Sequence, residues 1–284
     1  LEMSSLVGST DFKIRPLTTI EQYQACVELQ DETWGAGFSE RVPLAILKVS
    51  QILGGVCAGA YDADQRLAGF VFGMTGPRDG RLVHWSDMLA VRTEVRDAGL
   101  GTRLKAYQRE QLLERGVETM HWTFDPLQSR NAYLNFSKLG IVVREYERDM
   151  YGDTDSPLHL GVGTDRFVAH WLMTSERVVA RLAGELCAPR HGALPDAQRV
   201  LDADEVEGIL HPGTPDLGNR NDQLFVSIPA DIAEIMRHSM DVAVQWRNAT
   251  RAVFTHYLNE GYEVCELLRA GTTSDCLLVR GEDA

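Results

Sequence analysis

The chain has 284 residues, 44% hydrophobic and 24% charged, with a formal net charge of −13. This is globular composition, long enough for one large core or two smaller ones. The acidic balance argues against general attraction to nucleic acid or to an anionic membrane, so any anionic ligand needs a local arrangement that overrides the global field.

No window approaches the roughly 18 apolar residues of a membrane-spanning helix. The first residues lack the basic segment and apolar run of a secretory signal. Cys26, Cys57, Cys187, Cys265 and Cys276 are scattered, with no C-x-x-C pair. That pattern points away from a disulfide framework and from a zinc site, so no metal is expected, and it fits a reducing cytoplasm.

In chain order, "DFKIRPLT" reads as a strand ending at Pro16. "TIEQYQACVELQDETWG" has a helical pattern that Thr19 can cap. "VPLAILKVSQILGG" is a second helix, with Pro43 at its first turn. "VCAGAYD" and "RLAGFVFGMTG" read as an antiparallel hairpin, and "LVHWSDMLAV" as a third apolar run. A helix follows from Gly99 to about Arg115, then the strand "TMHWTFDPL", the short helix "SRNAYLNFSKLG" and the strand "IVVREYERDMY". "LHLGVGTDRFVAHWLM" adds another strand.

Residues 186–221 are rich in Pro and Gly and read as a linker between a domain over 12–185 and a C-terminal α/β lobe over 222–284. Within that lobe "QLFVSIPADI" is a strand, Asp231 an N-cap, and the following segment a long helix or a broken pair before two last strands. The order strand, helix, "YLNEGYEV" echoes the earlier "YLNFSKLGIVV", with Gly261 against Gly140, so the lobe reads as a partial repeat of a half-fold.

The stretch "EVRDAGLGTRL" carries the strongest chemical signal. At the end of a strand, R-x-x-G-x-G presents successive backbone N–H groups, and the following helix adds its unsatisfied first-turn donors and positive dipole end. Gly99 and Gly101 lack Cβ, so an anion can approach the backbone closely. The competing reading is a tight turn into a core helix. No third glycine completes a dinucleotide fingerprint and no GK[ST] follows.

"MLAVRTEVRDAGLGTRL" resembles the central acyl-CoA motif of the Gcn5-related N-acetyltransferases, and "FDPLQSRNAYLNFSKLGI" resembles that family's second landmark, over about residues 12–152. The stretch "YGDTDSPLHLGVGTDRFVAHW" further resembles a bacterial branch of the family. The resemblance implies a GNAT-type mixed, mostly antiparallel sheet flanked by helices. It implies an acyl-CoA-dependent N-acyltransferase whose co-substrate is acetyl-CoA or another acyl-CoA such as succinyl-CoA. The pantetheine arm then runs along Leu89, Ala90 and Val91, and the pyrophosphate falls to Arg96, Asp97, Ala98, Gly99, Leu100, Gly101 and Thr102. Asn131 is a pantetheine or acceptor contact. The acceptor is a small amine or amino acid, and a homodimer stays open.

A base must take the amine's proton. Asp87 stands where aralkylamine-type members carry a histidine implicated in deprotonation; its structural alternative is a carboxylate bonded to backbone or to an arginine. Asp125 is the second candidate, and as Asp before Pro it also reads as a helix cap. His84 and His121 read as packed strand residues. The family's usual tyrosine acid is replaced by Phe136, and Tyr133 lies one turn earlier as a substitute. A carboxylate on the acyl chain wants an arginine, for which Arg144 or Arg148 serves. The rival class is a non-catalytic acyl-CoA binding protein or sensor, which Phe136 makes credible.

Overall fold

The computed structural model describes residues 12–96, 99–152, 161–185, 194 and 197–281. The chain divides into two compact units, Leu1–Glu118 and Thr119–Ala284.

In the first unit, β1 (Lys13–Pro16), β2 (Val56–Tyr61), β3 (Leu67–Arg78) and β4 (Arg81–Val91) pair antiparallel in that order. β3 turns into β4 through Asp79 and Gly80, both with positive φ (52° and 76°), the geometry that matches the twist of a tight hairpin. Helix α1 (Ile20–Trp34) opens on a capping box, in which Gln22 N–H donates to Thr19 Oγ1 and Gln22 Oε1 accepts from Thr19 N–H. Helix α2 (Leu44–Ile52) starts after Pro43, which sits at the N-cap itself with φ −65°. The core beneath them holds Leu29, Leu47, Phe70 and Phe72, all essentially inaccessible. Helix α3 (Leu100–Leu113) follows β4 after a 3₁₀ turn at Thr93–Val95.

The second unit carries β5 (Thr119–Phe124), α4 (Ser129–Tyr133) prolonged by a wide turn at Leu134–Lys138, β6 (Val142–Glu147), β7 (Arg166–Leu172) and α5 (Glu176–Ala183). Then come β8 (Gln198–Leu201), β9 (Ala203–Val206), β10 (Ile209–Pro212), β11 (Gln223–Pro229), α6 (Ile232–His238), α7 (Met240–Asn259), β12 (Tyr262–Ala270) and β13 (Thr273–Arg280). Its strands run β5-β7-β6-β12-β13-β11-β8, antiparallel except for β8 beside β11, and β9 and β10 form a separate hairpin. Asp231 caps α6, accepting from the N–H groups of Ala233 (2.9 Å) and Glu234 (3.1 Å), and Ser239 breaks and recaps the chain into α7. Aromatic rings of Phe124, Phe136, Tyr146, Phe167 and Phe254 interlock edge-to-face in this core.

The architecture is therefore the expected mixed, mostly antiparallel sheet with flanking helices. The division expected at 186–221 is not where the chain separates. β6 pairs with β12 through Val143 and Val264, so residues 222–284 share one sheet with residues 119–172. The stretch read as a linker contains β8, β9 and β10. Its Pro/Gly-rich end is pinned from a distance: Tyr257 Oη donates to Asp216 O (2.7 Å) and Tyr262 Oη to Asn221 O (2.8 Å).

Around the Val143–Val264 pair the strand order is palindromic, β5-β7-β6 against β12-β13-β11. Gly140 and Gly261 enter β6 and β12 with φ of 73° and 84°, a left-handed step that favours glycine. Three residues beyond each glycine the strand bulges, between Val143 and Glu145 and between Val264 and Glu266.

Candidate functional site

β4 is not a regular strand. Its pairing with β3 steps from Met88 opposite Phe72 to Ser86 opposite Gly73, which leaves Asp87 as the extra residue of a β-bulge. Ser86 and Met88 are buried while Asp87 is exposed. The atoms packed around Asp87 still desolvate its carboxyl and raise it above its ordinary value. Leu89, Ala90 and Val91 complete the strand opposite Val71, Phe70 and Gly69.

Beyond β4, Arg96 is exposed and its Nε donates to Val91 O at 3.2 Å. Arg92 and Arg103, in contrast, are committed to this chain. Arg92 Nε donates to Leu67 O (2.7 Å) and its guanidinium pairs with Glu32, while Arg103 Nη2 donates to Phe12 O (2.6 Å). Asp97 and Ala98 lie outside the described residues. Gly99 is the N-cap of α3 in left-handed conformation (φ 72°, ψ 9°), without a side-chain cap, and no acidic residue stands in the first turn. Leu100 is buried; Gly101 and Thr102 are half-buried.

The two glycines are bare for different reasons. Gly99 needs its backbone conformation. At Gly101 a Cβ would meet only Leu89 Cδ2 among the described residues, at the ordinary contact distance of 3.6 Å.

Directly behind this loop runs a chain of buried polar groups that the sequence reading missed. Lys105 Nζ donates to Ser86 Oγ (2.7 Å), which donates to Gln108 Oε1 (2.8 Å). Gln108 Nε2 meets His84 Nε2 (2.9 Å), His84 Nδ1 meets Thr75 Oγ1 (2.9 Å), and Thr75 donates to Gly54 O (2.9 Å). Donors and acceptors alternate without conflict if His84 is neutral and protonated on Nδ1. Gly73 is glycine because a Cβ would come within 2.2 Å of His84 Nε2. The available signal was three polar residues, at 84, 105 and 108, on elements otherwise packed into the core. The network ties α3, whose N-terminus forms the loop, to the residue beside the Asp87 bulge.

Burial, with Lys105 and Arg115 nearby, lowers His84 to about 3 from an ordinary 6.5. Its folded value is depressed, so the neutral imidazole contributes stability that is complete above 6.5 and is lost as pH falls from there through about 3. We expect the His84 ring to stay neutral from pH 8 down to about 5 in an NMR titration, while an ordinary exposed histidine titrates near ~6.5.

The remaining sequence-derived residues lie in the second unit. Asp125 is not available as a base. Its Oδ1 accepts from Leu127 N–H (2.8 Å), and its Oδ2 accepts from Arg247 Nη2 (2.7 Å) with Arg166 Nη1 at 4.0 Å, all three side chains buried. Asn131 is exposed on α4, and its Oδ1 accepts weakly from Asn135 Nδ2 (3.4 Å). The ring of Tyr133 lies under Arg269, whose Cζ is 3.9 Å from the centroid. Phe136 is fully buried against Phe124 and is a packing residue. A tyrosine does stand at the same offset before the second glycine, Tyr257 before Gly261, but its hydroxyl is spent on the 216–219 backbone. Arg144 pairs with Glu263 (2.8 Å) and Arg148 with Asp149 (3.2 Å), both arginines at the exposed surface. Among the described residues no group of three or more His, Cys, Asp or Glu is placed to hold a metal, and no helix is long and apolar enough to cross a membrane.

No family model and no curated protein matches the chain. Among solved structures it is similar to a chain of the NatC complex bound to Gag peptide and CoA, at 17% identity and TM-score 0.47 over 58% of this chain and 99% of that one. It is similar to the ribosomal-protein-S18-alanine N-acetyltransferase from Escherichia coli, at 17% identity and TM-score 0.45 over 58% and 97%. A third is YncA, a putative acetyltransferase from Salmonella typhimurium with acetyl-CoA, at 15% identity and TM-score 0.47 over 58% and 96%.

Proposed function

We propose that this protein is an acyl-CoA-dependent N-acyltransferase that moves an acetyl or larger acyl group, such as succinyl, to a small amine or amino acid. The observation that carries the reading is the bareness of Gly101 at the N-terminus of α3, which the packing of the folded chain does not require. A pyrophosphate fits that need: it is anionic, it is satisfied by the backbone N–H groups of residues 99–102, and it requires close approach. Exposed Arg96 adds charge beside it.

The thioester end of such a substrate lies back along Leu89–Val91. There the bulged Asp87 takes the proton as the amine nitrogen attacks the thioester carbonyl. The tetrahedral oxyanion is met by strand N–H groups. Collapse breaks the carbon–sulfur bond, and the sulfur leaves as thiolate. With a thiol pKa of about 8.5, that departure needs little acid assistance, so Phe136 is compatible with turnover. The free cysteines among the described residues, Cys26, Cys57, Cys265 and Cys276, support a reducing compartment such as the cytoplasm. The palindromic strand order supports reading the C-terminal lobe over 222–284 as a partial repeat of the half-fold at 119–172.

The second reading, a binding protein that senses acyl-CoA, rests on Phe136 filling the usual acid position with a packed ring. Release of free coenzyme A from acetyl-CoA and succinyl-CoA, measured across a panel of small amines and amino acids, separates the two. Acceptor-dependent release supports transfer. Tight acyl-CoA binding with release no faster than buffer against every acceptor leaves the sensor.

A further inference from the structure

The Asp125 cluster has one group whose hydrogen bonding is incomplete. Arg247, on the first half of α7, is 2% exposed. Its Nη2 holds Asp125 and its Nε donates to Val162 O (3.2 Å), but Nη1 is sealed from solvent and finds no acceptor among the described residues. Buried guanidinium N–H groups are normally satisfied, because losing water without gaining a partner is costly. Burial alone works against the charge of Arg247; the Asp125 carboxylate outweighs it and holds the guanidinium protonated. Arg166 approaches the same carboxylate, with the Tyr151 ring over its guanidinium at 5.2 Å. Asp165 is taken up by Arg251 through two bonds of 2.7 Å and by Tyr146, so it does not serve Arg247 Nη1.

We infer that Arg247 Nη1, with Arg166 beside it, receives a substrate carboxylate at the C-terminal end of β5. Planar carboxylate is the natural partner of a guanidinium fork. Access requires a small displacement of the 161–165 loop that Arg247 Nε holds through Val162. The inference rests on the acyltransferase reading, which leaves two sources for the carboxylate: an amino-acid acceptor, or the free end of a dicarboxylic acyl group.

The test compares wild type with Arg247→Lys, which keeps a cation for Asp125 and removes the fork. One arm measures acetyl transfer to amino acids against their carboxamides. The other measures succinyl-CoA against acetyl-CoA with a carboxylate-free alkylamine. We expect wild type to favour the carboxylate partner at least tenfold in one arm, with the preference lost in Arg247→Lys and turnover of the carboxylate-free partner retained. Binding of succinate and of an amino acid to each protein, read by calorimetry, decides the matter independently of turnover, and Arg166→Lys is the second variant if Arg247→Lys fails to fold. A preference unchanged in folded Arg247→Lys, or neither preference nor carboxylate binding in wild type, overturns the inference and leaves a buried water as the partner of Nη1. Carboxylate binding lost in Arg247→Lys without any acyl transfer keeps this site and removes the acyltransferase reading.

Discussion

Asp125→Asn is expected to destabilise the protein by about 3–5 kcal/mol while leaving turnover of carboxylate-free substrates by the remaining folded protein within a fewfold of wild type. Asparagine keeps the Oδ1 that accepts from Leu127 N–H, so the loop into α4 retains its turn. What disappears is the charge between Arg247 and Arg166, both nearly inaccessible. Breaking a buried pair on one side costs far more than an exposed ion pair is worth, because the surviving guanidinium is left dry and uncompensated. Urea unfolding measures the loss directly. A change below about 1 kcal/mol, the size of an exposed pair, would mean that the arginines find other partners. A well-folded variant with turnover reduced a hundredfold would return Asp125 to the list of bases.

Asp87→Asn is expected to do the reverse, with stability and acyl-CoA affinity nearly unchanged and turnover down by roughly 10² or more, the usual worth of a positioned general base. The residue is exposed, its neighbours Ser86 and Met88 anchor the bulge, and asparagine has the same shape. The pH dependence carries a sign. Desolvation raises the Asp87 carboxyl, so its basic form appears only as pH climbs through that raised value, and wild-type kcat/KM rises over the same window. At higher pH the acceptor amine arrives already deprotonated, so the gap between wild type and Asp87→Asn narrows. A loss that does not change with pH would assign Asp87 to acceptor binding or strand geometry. Near-wild-type turnover at neutral pH would leave proton removal to water.

Features set by local backbone chemistry were legible in the sequence. Thr19 and Gln22 announce a capping box three residues apart, and Asp231 announces the start of α6. The glycine loop was legible for the same reason, since a chain that must be bare or left-handed writes glycine at those positions. Asp79–Gly80, an available hairpin signal, was passed over between two apolar runs that are in fact one hairpin. Distant pairings were not legible. Arg247 stands 122 residues from Asp125, so the aspartate before Pro126 read as a base or a cap and its charge partner stayed unseen. Residues 186–221 read as a linker because they are rich in Pro and Gly, while the tyrosines that fasten the end of that stretch, Tyr257 and Tyr262, lie about forty residues on. The bulge at Asp87 depends on how β3 and β4 are registered, a property of two strands that neither sequence states alone.

Calorimetric titration of acetyl-CoA into wild type and Gly101→Val tests whether the loop at Gly99–Gly101 holds the phosphates of an acyl-CoA. A Cβ at this position meets only Leu89 Cδ2, at 3.6 Å, among the described residues, so the variant is expected to fold, which circular dichroism and thermal unfolding check. Wild type is expected to bind measurably and the variant at least tenfold more weakly, about 1.4 kcal/mol, because the branched side chain occupies the space the phosphate needs. Equal affinity in a folded Gly101→Val protein, or no binding of any coenzyme A ester by wild type, would contradict it and make the loop a turn into α3.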